Sequence, residues 1–136
     1  MLEAHFDWLG VCLGTLLYTV FSGMWHRQFA FGKKWDLAMG FDRPEGWKES
    51  NIYYVVPFLG CLISSFAVGI LHYWINVPSL MAALEIGMVV GVGIGATVTF
   101  TNAVIPIMKR PVLFGLITGT AHAFSLMLVS VVIFLV

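Results

Sequence analysis

Long uninterrupted runs of apolar residues dominate the chain. Four of them cover residues 8–27, 52–75, 80–108 and 112–136. Each reaches the roughly 20 residues that an α-helix needs to cross the ~30 Å apolar layer of a bilayer. The strands of a membrane barrel would alternate apolar and polar residues over about 10 positions, and these runs do not alternate. The pattern predicts an all-α fold, an integral membrane bundle of four transmembrane helices, in a single domain of residues 1–136.

The composition agrees with this prediction. Hydrophobic residues make up 60% of the chain and charged residues 10%, and the mean hydropathy is +0.93. A soluble domain of this size has about 25% charged residues. The formal net charge is zero, so nothing in the charge balance indicates nucleic acid. We therefore expect the lipid bilayer as a partner and no nucleic acid.

The connections between the runs predict the topology. Asn76–Ser79 and Lys109–Pro111 are short turns, whereas the first connection, residues 28–51, is long. Short turns make successive helices antiparallel neighbours in an up-and-down bundle. All seven Lys and Arg residues lie in or beside the first and third connections. By the positive-inside rule, these basic loops are cytoplasmic and both chain termini lie outside the cell membrane.

The long inner loop, residues 28–51, is amphipathic. The stretch "WHRQFAFGKKWDLAMGF", residues 25–41, runs from the end of the first helix into this loop. Aromatic and basic residues are mixed along it. Such a mixture is typical of a segment that lies at the headgroup level of a bilayer. We predict an amphipathic interfacial segment between helices 1 and 2. Its motif consists of Trp25, His26, Phe31, Gly32, Lys33 and Trp35.

Ionisable residues inside the runs are costly in a bilayer and therefore informative. Glu85 is the only carboxylate within a predicted transmembrane helix, and His72 falls at a similar depth on the preceding helix. We expect a hydrogen bond between these two side chains. Such a pair either fixes the register of the two helices or takes part in a proton relay or substrate site.

His122 lies near the centre of the last run. A neutral ring bonded to a backbone carbonyl or a threonine is one interpretation, and a residue that lines a polar pathway is the other. With Asn102, Glu85 and His72, it forms our set of candidates for a polar pathway or pocket. The chain has no HxxxH, HExxH or CxxC spacing and no nucleophile motif, so we predict neither a metal site nor a catalytic residue, and no particular cofactor is indicated.

Glycines recur at helical spacing in the last two runs. Gly87, Gly91 and Gly95 are four residues apart, and so are Gly115 and Gly119. Stripes of small residues allow the backbones of two helices to approach closely. They predict packing seams within the bundle or between protomers, and a homo-oligomer is one possibility.

Several of these residues resemble a known family. Gly23, Trp25, "FGKKW" at residues 31–35 and Gly40 are similar to the pattern "G.LWY...LFGK.W....G" of the domain of unknown function 1761 family. Members are small four-helix membrane proteins. One departure is His26, where the family more often has Tyr.

The second half of the chain resembles the same family. The family tends to show an Asn, an Arg-Pro turn and a His-containing segment, and here Asn102, Arg110-Pro111 and "TAHAFSL" around His122 stand in those places. The resemblance implies the fold and the membrane location, but no activity. It marks as residues of interest Trp25, Phe31, Gly32, Lys33, Trp35, Asn102 and His122.

Three functional hypotheses follow. The first is a small transporter or channel component, the second a membrane-embedded enzyme that acts on a lipid or quinone, and the third a structural or accessory membrane subunit. A continuous polar cavity that reaches both surfaces would favour transport. A blind pocket open to lipid would favour the enzyme, and a solid packed bundle would favour the accessory role.

Overall fold

The structure, a computed structural model, describes residues 6–136 and is helical, with no strand in that part of the chain. The helices are α1 (Trp8–Trp25), α2 (Gly32–Met39), α3 (Ile52–Ile75), α4 (Leu80–Ala103) and α5 (Pro111–Leu135). All except α2 are long and apolar enough to cross a membrane. The predicted fold class is confirmed.

Local signals set the helix ends. The Asp7 carboxylate accepts a hydrogen bond from the Gly10 N–H at 2.8 Å and begins α1, and the Ser79 hydroxyl accepts one from the Ala82 N–H at 3.2 Å and begins α4. Both satisfy N–H groups that a helix start leaves without a partner. At the end of α3, Asn76 has a left-handed backbone with φ of 53°, which stops the helix.

Two helices are shorter than predicted. The third span ends at Ala103, not at residue 108, because Pro106 lacks the N–H that a helix requires and disfavours helical geometry at the residue before it. The first span ends at Trp25, and the chain turns at His26 and Arg27.

Helix α5 is the centre of the fold. It packs against α1 and α4 along much of its length and also contacts α2 and α3. Half of the most apolar 18-residue stretch of α5 is buried, whereas 28% or less of the corresponding stretch is buried in each of the other three spans. Its buried residues include the small ones Gly115, Gly119, Ala121, Ala123, Ser125 and Ser130. Small residues on several faces let neighbouring helices approach from more than one side.

The glycines of α4 face α5. A Cβ atom added at Gly87 would lie 2.6 Å from the Met127 Cα, and one at Gly91 would lie 2.7 Å from the Ala123 carbonyl oxygen. A Cβ at Gly95 would lie 3.2 Å from the Leu126 side chain. At each of these positions, a residue larger than glycine would need space that the backbone or side chains of α5 already occupy.

The glycines of α5 face α4 in return. A Cβ at Gly115 would lie 2.9 Å from the Phe100 ring, and one at Gly119 would lie 3.4 Å from the Ala96 Cβ. Both glycine stripes are therefore taken up by packing within one chain. A homo-oligomer through these stripes would have to displace that packing.

Helices α3 and α4 diverge after the turn that joins them. They scarcely touch, because α3 packs against α1 and α5 instead. Residues 52–60, the first part of α3, are exposed on all sides. The expectation that a short turn makes these two helices packed neighbours is wrong, and an open space lies between them.

Candidate functional site

The space between α3 and α4 forms a groove with a volume of about 620 Å³. Its walls are apolar except for Tyr18, Ser64, Thr99 and His122, and no charged residue lines it. Three other lining residues are strongly exposed on the outer surface of the bundle: Trp74 at 72%, Ile94 at 59% and Val98 at 52%. The groove is therefore open sideways, along the surface that lipid would cover.

A tyrosine–histidine pair lies on the floor of the groove. The Tyr18 hydroxyl and His122 Nδ1 are 2.6 Å apart, and the two rings meet edge to face. Tyr18 is only 4% exposed. It lies about ten residues into α1, and His122 about eleven residues into the antiparallel α5, so at ~1.5 Å per residue both are near mid-depth of their helices.

The pair is chemically adaptable. If the phenol donates to Nδ1, the proton of the neutral imidazole is on Nε2, which is then a donor. If Nδ1–H donates to the phenol oxygen, Nε2 is an acceptor and the phenol proton is free to donate elsewhere. The same two side chains can therefore bind either a carbonyl oxygen or a hydroxyl group.

The groove wall next to His122 contains an irregular helix. Residues Gly91–Ala96 of α4 form a π-helix rather than an α-helix. The Thr97 hydroxyl donates to the Val92 carbonyl oxygen, five residues earlier, at 3.0 Å. Ile94 and Gly95 of this segment line the groove. Short π-helical turns are costly and occur frequently at functional sites.

His72 belongs to a separate polar cluster at the C-terminal end of α3. The Ser130 hydroxyl donates its proton to the Ala83 carbonyl oxygen at 2.6 Å. The same hydroxyl must therefore accept in its 2.7 Å contact with His72 Nε2, so Nε2 carries a proton. A cleft of about 530 Å³ beside this cluster is lined by Asp7, His72 and Asn76 among others. One oxygen of Asp7, Oδ2, is buried without a hydrogen-bond partner.

The predicted His72–Glu85 hydrogen bond is wrong. His72 bonds Ser130 instead, and Glu85 is exposed on the surface of α4. The helical period explains this: Ala83 and Gly87 are buried against α5, and Glu85, two residues from each, projects from the opposite side.

The four candidates for a polar pathway are not brought together. Only His122 lines the groove. His72 lines the second cleft, while Asn102 is exposed near the end of α4 and Glu85 is exposed elsewhere on that helix. In the part of the chain that the structure describes, no three His, Cys, Asp or Glu side chains converge as metal ligands would.

The motif of Trp25, Phe31, Gly32 and Trp35 docks the segment between α1 and α3 onto α5. The Trp25 indole N–H donates to the Ile117 carbonyl oxygen at 2.9 Å, and the Trp35 indole N–H donates to the Thr118 hydroxyl at 3.1 Å. The Phe31 ring packs against that of Trp25 at a tilt of 32°, with ring centroids 4.5 Å apart. Both tryptophans thus bond to consecutive residues of α5.

Glycine is required in the middle of the motif. A Cβ at Gly32 would lie 2.5 Å from the His26 carbonyl oxygen and 2.6 Å from the Arg27 carbonyl carbon. The close turn brings Trp35 back to α5, while Lys33 stays exposed. The "FGKKW" spacing therefore has a structural explanation: Phe31 packs against Trp25, Gly32 permits the turn and Trp35 bonds to α5.

His26 completes this contact. Its Nδ1–H donates to the Ser22 carbonyl oxygen at 2.8 Å, which leaves Nε2 to accept from the Thr118 hydroxyl at 3.4 Å. Burial lowers the pKa of His26, and the hydrogen bond to Ser22 acts in the opposite direction. A neutral ring suits this chain of donors and acceptors.

The sequence patterns did not mark Tyr18 and Thr118 as candidates. A tyrosine in the middle of an apolar run, rather than at its end where aromatic belts lie, was the available signal for Tyr18. Its depth, similar to that of His122, is compatible with the pair but does not predict it. Thr118 had no comparable signal, because threonines are common in such helices.

A comparison with known proteins identifies the family of the chain. No curated protein and no solved structure matches the chain. Residues 9–134 match the family described as Protein of unknown function (DUF1761), which covers nearly the whole fold from α1 to α5. The chain, with its central α5 and its docked "FGKKW" motif, belongs to this family.

Proposed function

We propose that the chain is a multi-pass membrane protein that takes up a neutral, lipid-soluble molecule from the bilayer into the groove between α3 and α4. The polar group of this molecule binds at Tyr18 and His122. The observation that carries the proposal is their 2.6 Å hydrogen bond on the floor of an otherwise apolar groove.

The lining of the groove supports a neutral ligand. Burial of a charge in an apolar site without a partner is strongly unfavourable, and no charged side chain lines the groove. A carbonyl or hydroxyl group, in contrast, would pair with Nε2 of His122 in one tautomer or the other. The volume of about 620 Å³ falls in the range of about 300–1,000 Å³ typical of small-molecule sites.

The depth of the pair favours a molecule that is apolar overall. His122 lies near the middle of α5, whereas the headgroups of phospholipids stay at the bilayer surface. A long-chain carbonyl compound or alcohol carries its single polar group into the apolar layer more readily. The apolar wall from Tyr18 towards Trp74 offers room for its chain.

The other hypotheses have less support. A transport pathway would need Glu85 or His72 beside His122, and neither lines the groove. Acid–base chemistry at His122 would need a second reacting group, and the groove lining contains no carboxylate, lysine or cysteine. Binding of a lipid-soluble molecule is therefore the function that the site supports best.

We propose the topology that the basic residues indicate, with the α1–α3 and α4–α5 connections in the cytoplasm of a cell membrane and both termini outside. A fluorescent protein that folds only in the cytoplasm, fused after Val136, should stay dark. The same reporter inserted after Gly46 should be bright, because Gly46 lies in the inner loop at a position with open space around it. The reverse pattern would overturn this orientation.

Native mass spectrometry of the chain from mild detergent tests the binding. We expect the wild type to retain an apolar small molecule and Ala67→Trp, which fills the groove, to lose it. Leu16→Trp is the matched control, since Leu16 is 55% exposed and does not line the groove. Equal retention by both variants would refute the proposal, and so would a wild type that carries no such molecule when reconstituted from native membrane lipid.

A further inference from the structure

Charges on the inner face are sorted into a paired and an unpaired group. Arg43 donates two hydrogen bonds to the buried Asp36, at 3.0 and 3.1 Å, and lies 3.8 Å from Glu49. Arg27 lies 4.0 Å from Glu49 as well. Within residues 6–136, these ion pairs involve only those two of the seven basic residues. Two acidic residues, Asp36 and Glu49, are thus already paired with Arg43 and Arg27 inside the loop.

The remaining basic residues are exposed, and four of them surround α2. Lys33 and Lys34 lie at its start. At its other end, the Arg110 N–H donates to the Ala38 carbonyl oxygen at 2.8 Å, and the Lys109 side chain lies against Gly40. Because α2 has eight residues, both pairs lie within a stretch of helix ~12 Å long.

Exposed apolar side chains lie beside these cations. Phe29 is 76% exposed and Leu37 of α2 is 47% exposed. Ile107, two residues before Lys109, is 85% exposed. A soluble anion such as free phosphate would make no favourable contact with these apolar side chains. A phospholipid offers both a phosphate for the cations and acyl chains for the apolar residues.

We propose that α2 and the α4–α5 turn form a binding surface for anionic phospholipid, with Lys33, Lys34, Lys109 and Arg110 at the phosphates and Phe29, Leu37 and Ile107 in the acyl region. The surface is held rigidly, because Trp25 and Trp35 bond to α5 and the Asp36–Arg43 pair closes the loop. A rigid arrangement of cations selects phosphates better than a flexible basic tail, since less conformational freedom is lost on binding. This surface is independent of the groove.

Two double variants of equal charge test the proposal. Lys33→Gln/Lys109→Gln removes one cation at each end of α2, and Arg27→Gln/Lys48→Gln removes two cations elsewhere on the same face. The chain is incubated with equal amounts of phosphatidylglycerol and phosphatidylcholine of identical acyl chains, and retained lipid is counted by native mass spectrometry. We expect the first variant to lose roughly tenfold or more of its preference for phosphatidylglycerol, and the second to keep the wild-type preference.

Three results would overturn the proposal. The first is an equal loss in both variants, which would mean an effect of net charge alone. The second is an unchanged preference in Lys33→Gln/Lys109→Gln. The third is displacement of phosphatidylglycerol by inorganic phosphate at matched ionic strength, which would make the surface a site for free anions. The thermal unfolding temperature of each variant is measured alongside, and Lys33→Arg/Lys109→Arg should restore the preference if the fold is intact.

Discussion

Gly87→Ala should destabilise the protein strongly. The new methyl group would lie 2.6 Å from the Met127 Cα, 3.0 Å from the Leu126 carbonyl oxygen and 3.0 Å from the Ser130 Cβ. Two of these contacts are backbone atoms of α5, which cannot rotate away as a side chain would. Forcing an extra methyl group into a packed core costs about 1–3 kcal/mol, and we expect the upper end of that range.

The matched control for Gly87→Ala is on the same helix. A Cβ at Gly93 would meet nothing within 4 Å, and alanine generally stabilises a helix relative to glycine by about 0.5–1 kcal/mol. Thermal unfolding in detergent should therefore show a clear decrease for Gly87→Ala and none for Gly93→Ala. If both variants unfold at the wild-type temperature, the close contact of α4 with α5 is not present in solution.

Arg43→Met should release the segment between α1 and α3. The Asp36 side chain is only 10% exposed and accepts two hydrogen bonds from Arg43 and one from Gln28. Removing one partner of a buried ion pair typically costs about 3–5 kcal/mol. Because the Arg43 side chain is 30% exposed, we expect the lower end of that range. Hydrogen exchange of residues 26–49 should rise by orders of magnitude, while that of α5 should not change.

Arg27→Met is the matched control for this release. The Arg27 side chain is 53% exposed and its only ion pair in residues 6–136 is the 4.0 Å contact with Glu49. Exposed ion pairs contribute about 0–1 kcal/mol, so exchange should stay close to that of the wild type. Equal effects of the two substitutions would mean that the Asp36–Arg43 pair does not hold the loop.

The spans were predictable because their signal is local. Apolar runs of about 20 residues decide the fold class without any knowledge of packing. The boundaries were less accurate where a single residue overrides the run, as Pro106 does at the end of α4. The separation of α3 and α4 was not predictable from the short turn between them. It depends on which faces of α3 fit α1 and α5, and this is a property of the assembled bundle.

The site was predictable only in part. His122 stood out because a titratable residue in an apolar run is rare, but its partner Tyr18 lies 104 positions away in sequence. Similar depth is necessary for such a pair and not sufficient, as His72 and Glu85 demonstrate. Rotation of each helix about its axis decides which side chains meet, and close contacts such as Gly87 with Met127 determine that rotation.

The "FGKKW" motif illustrates the same limit. Its aromatic and basic residues predict a position at the membrane boundary, but they do not explain their own order. The order follows from three contacts: the packing of Phe31 against Trp25, the close turn at Gly32 and the hydrogen bond from Trp35 to Thr118. Each requires coordinates, because each joins the motif to the turn or to α5.

The most direct test of the groove is to map where a lipid-soluble probe reacts. A long-chain alcohol with a diazirine next to its hydroxyl group is photolysed with the chain in bilayers, and the modified residues are identified by mass spectrometry. We expect labels around Tyr18, His122 and Ile94–Thr99, at a level that falls sharply in Ala67→Trp. Labels spread evenly over exposed residues such as Leu16, and unchanged in Ala67→Trp, would contradict this expectation.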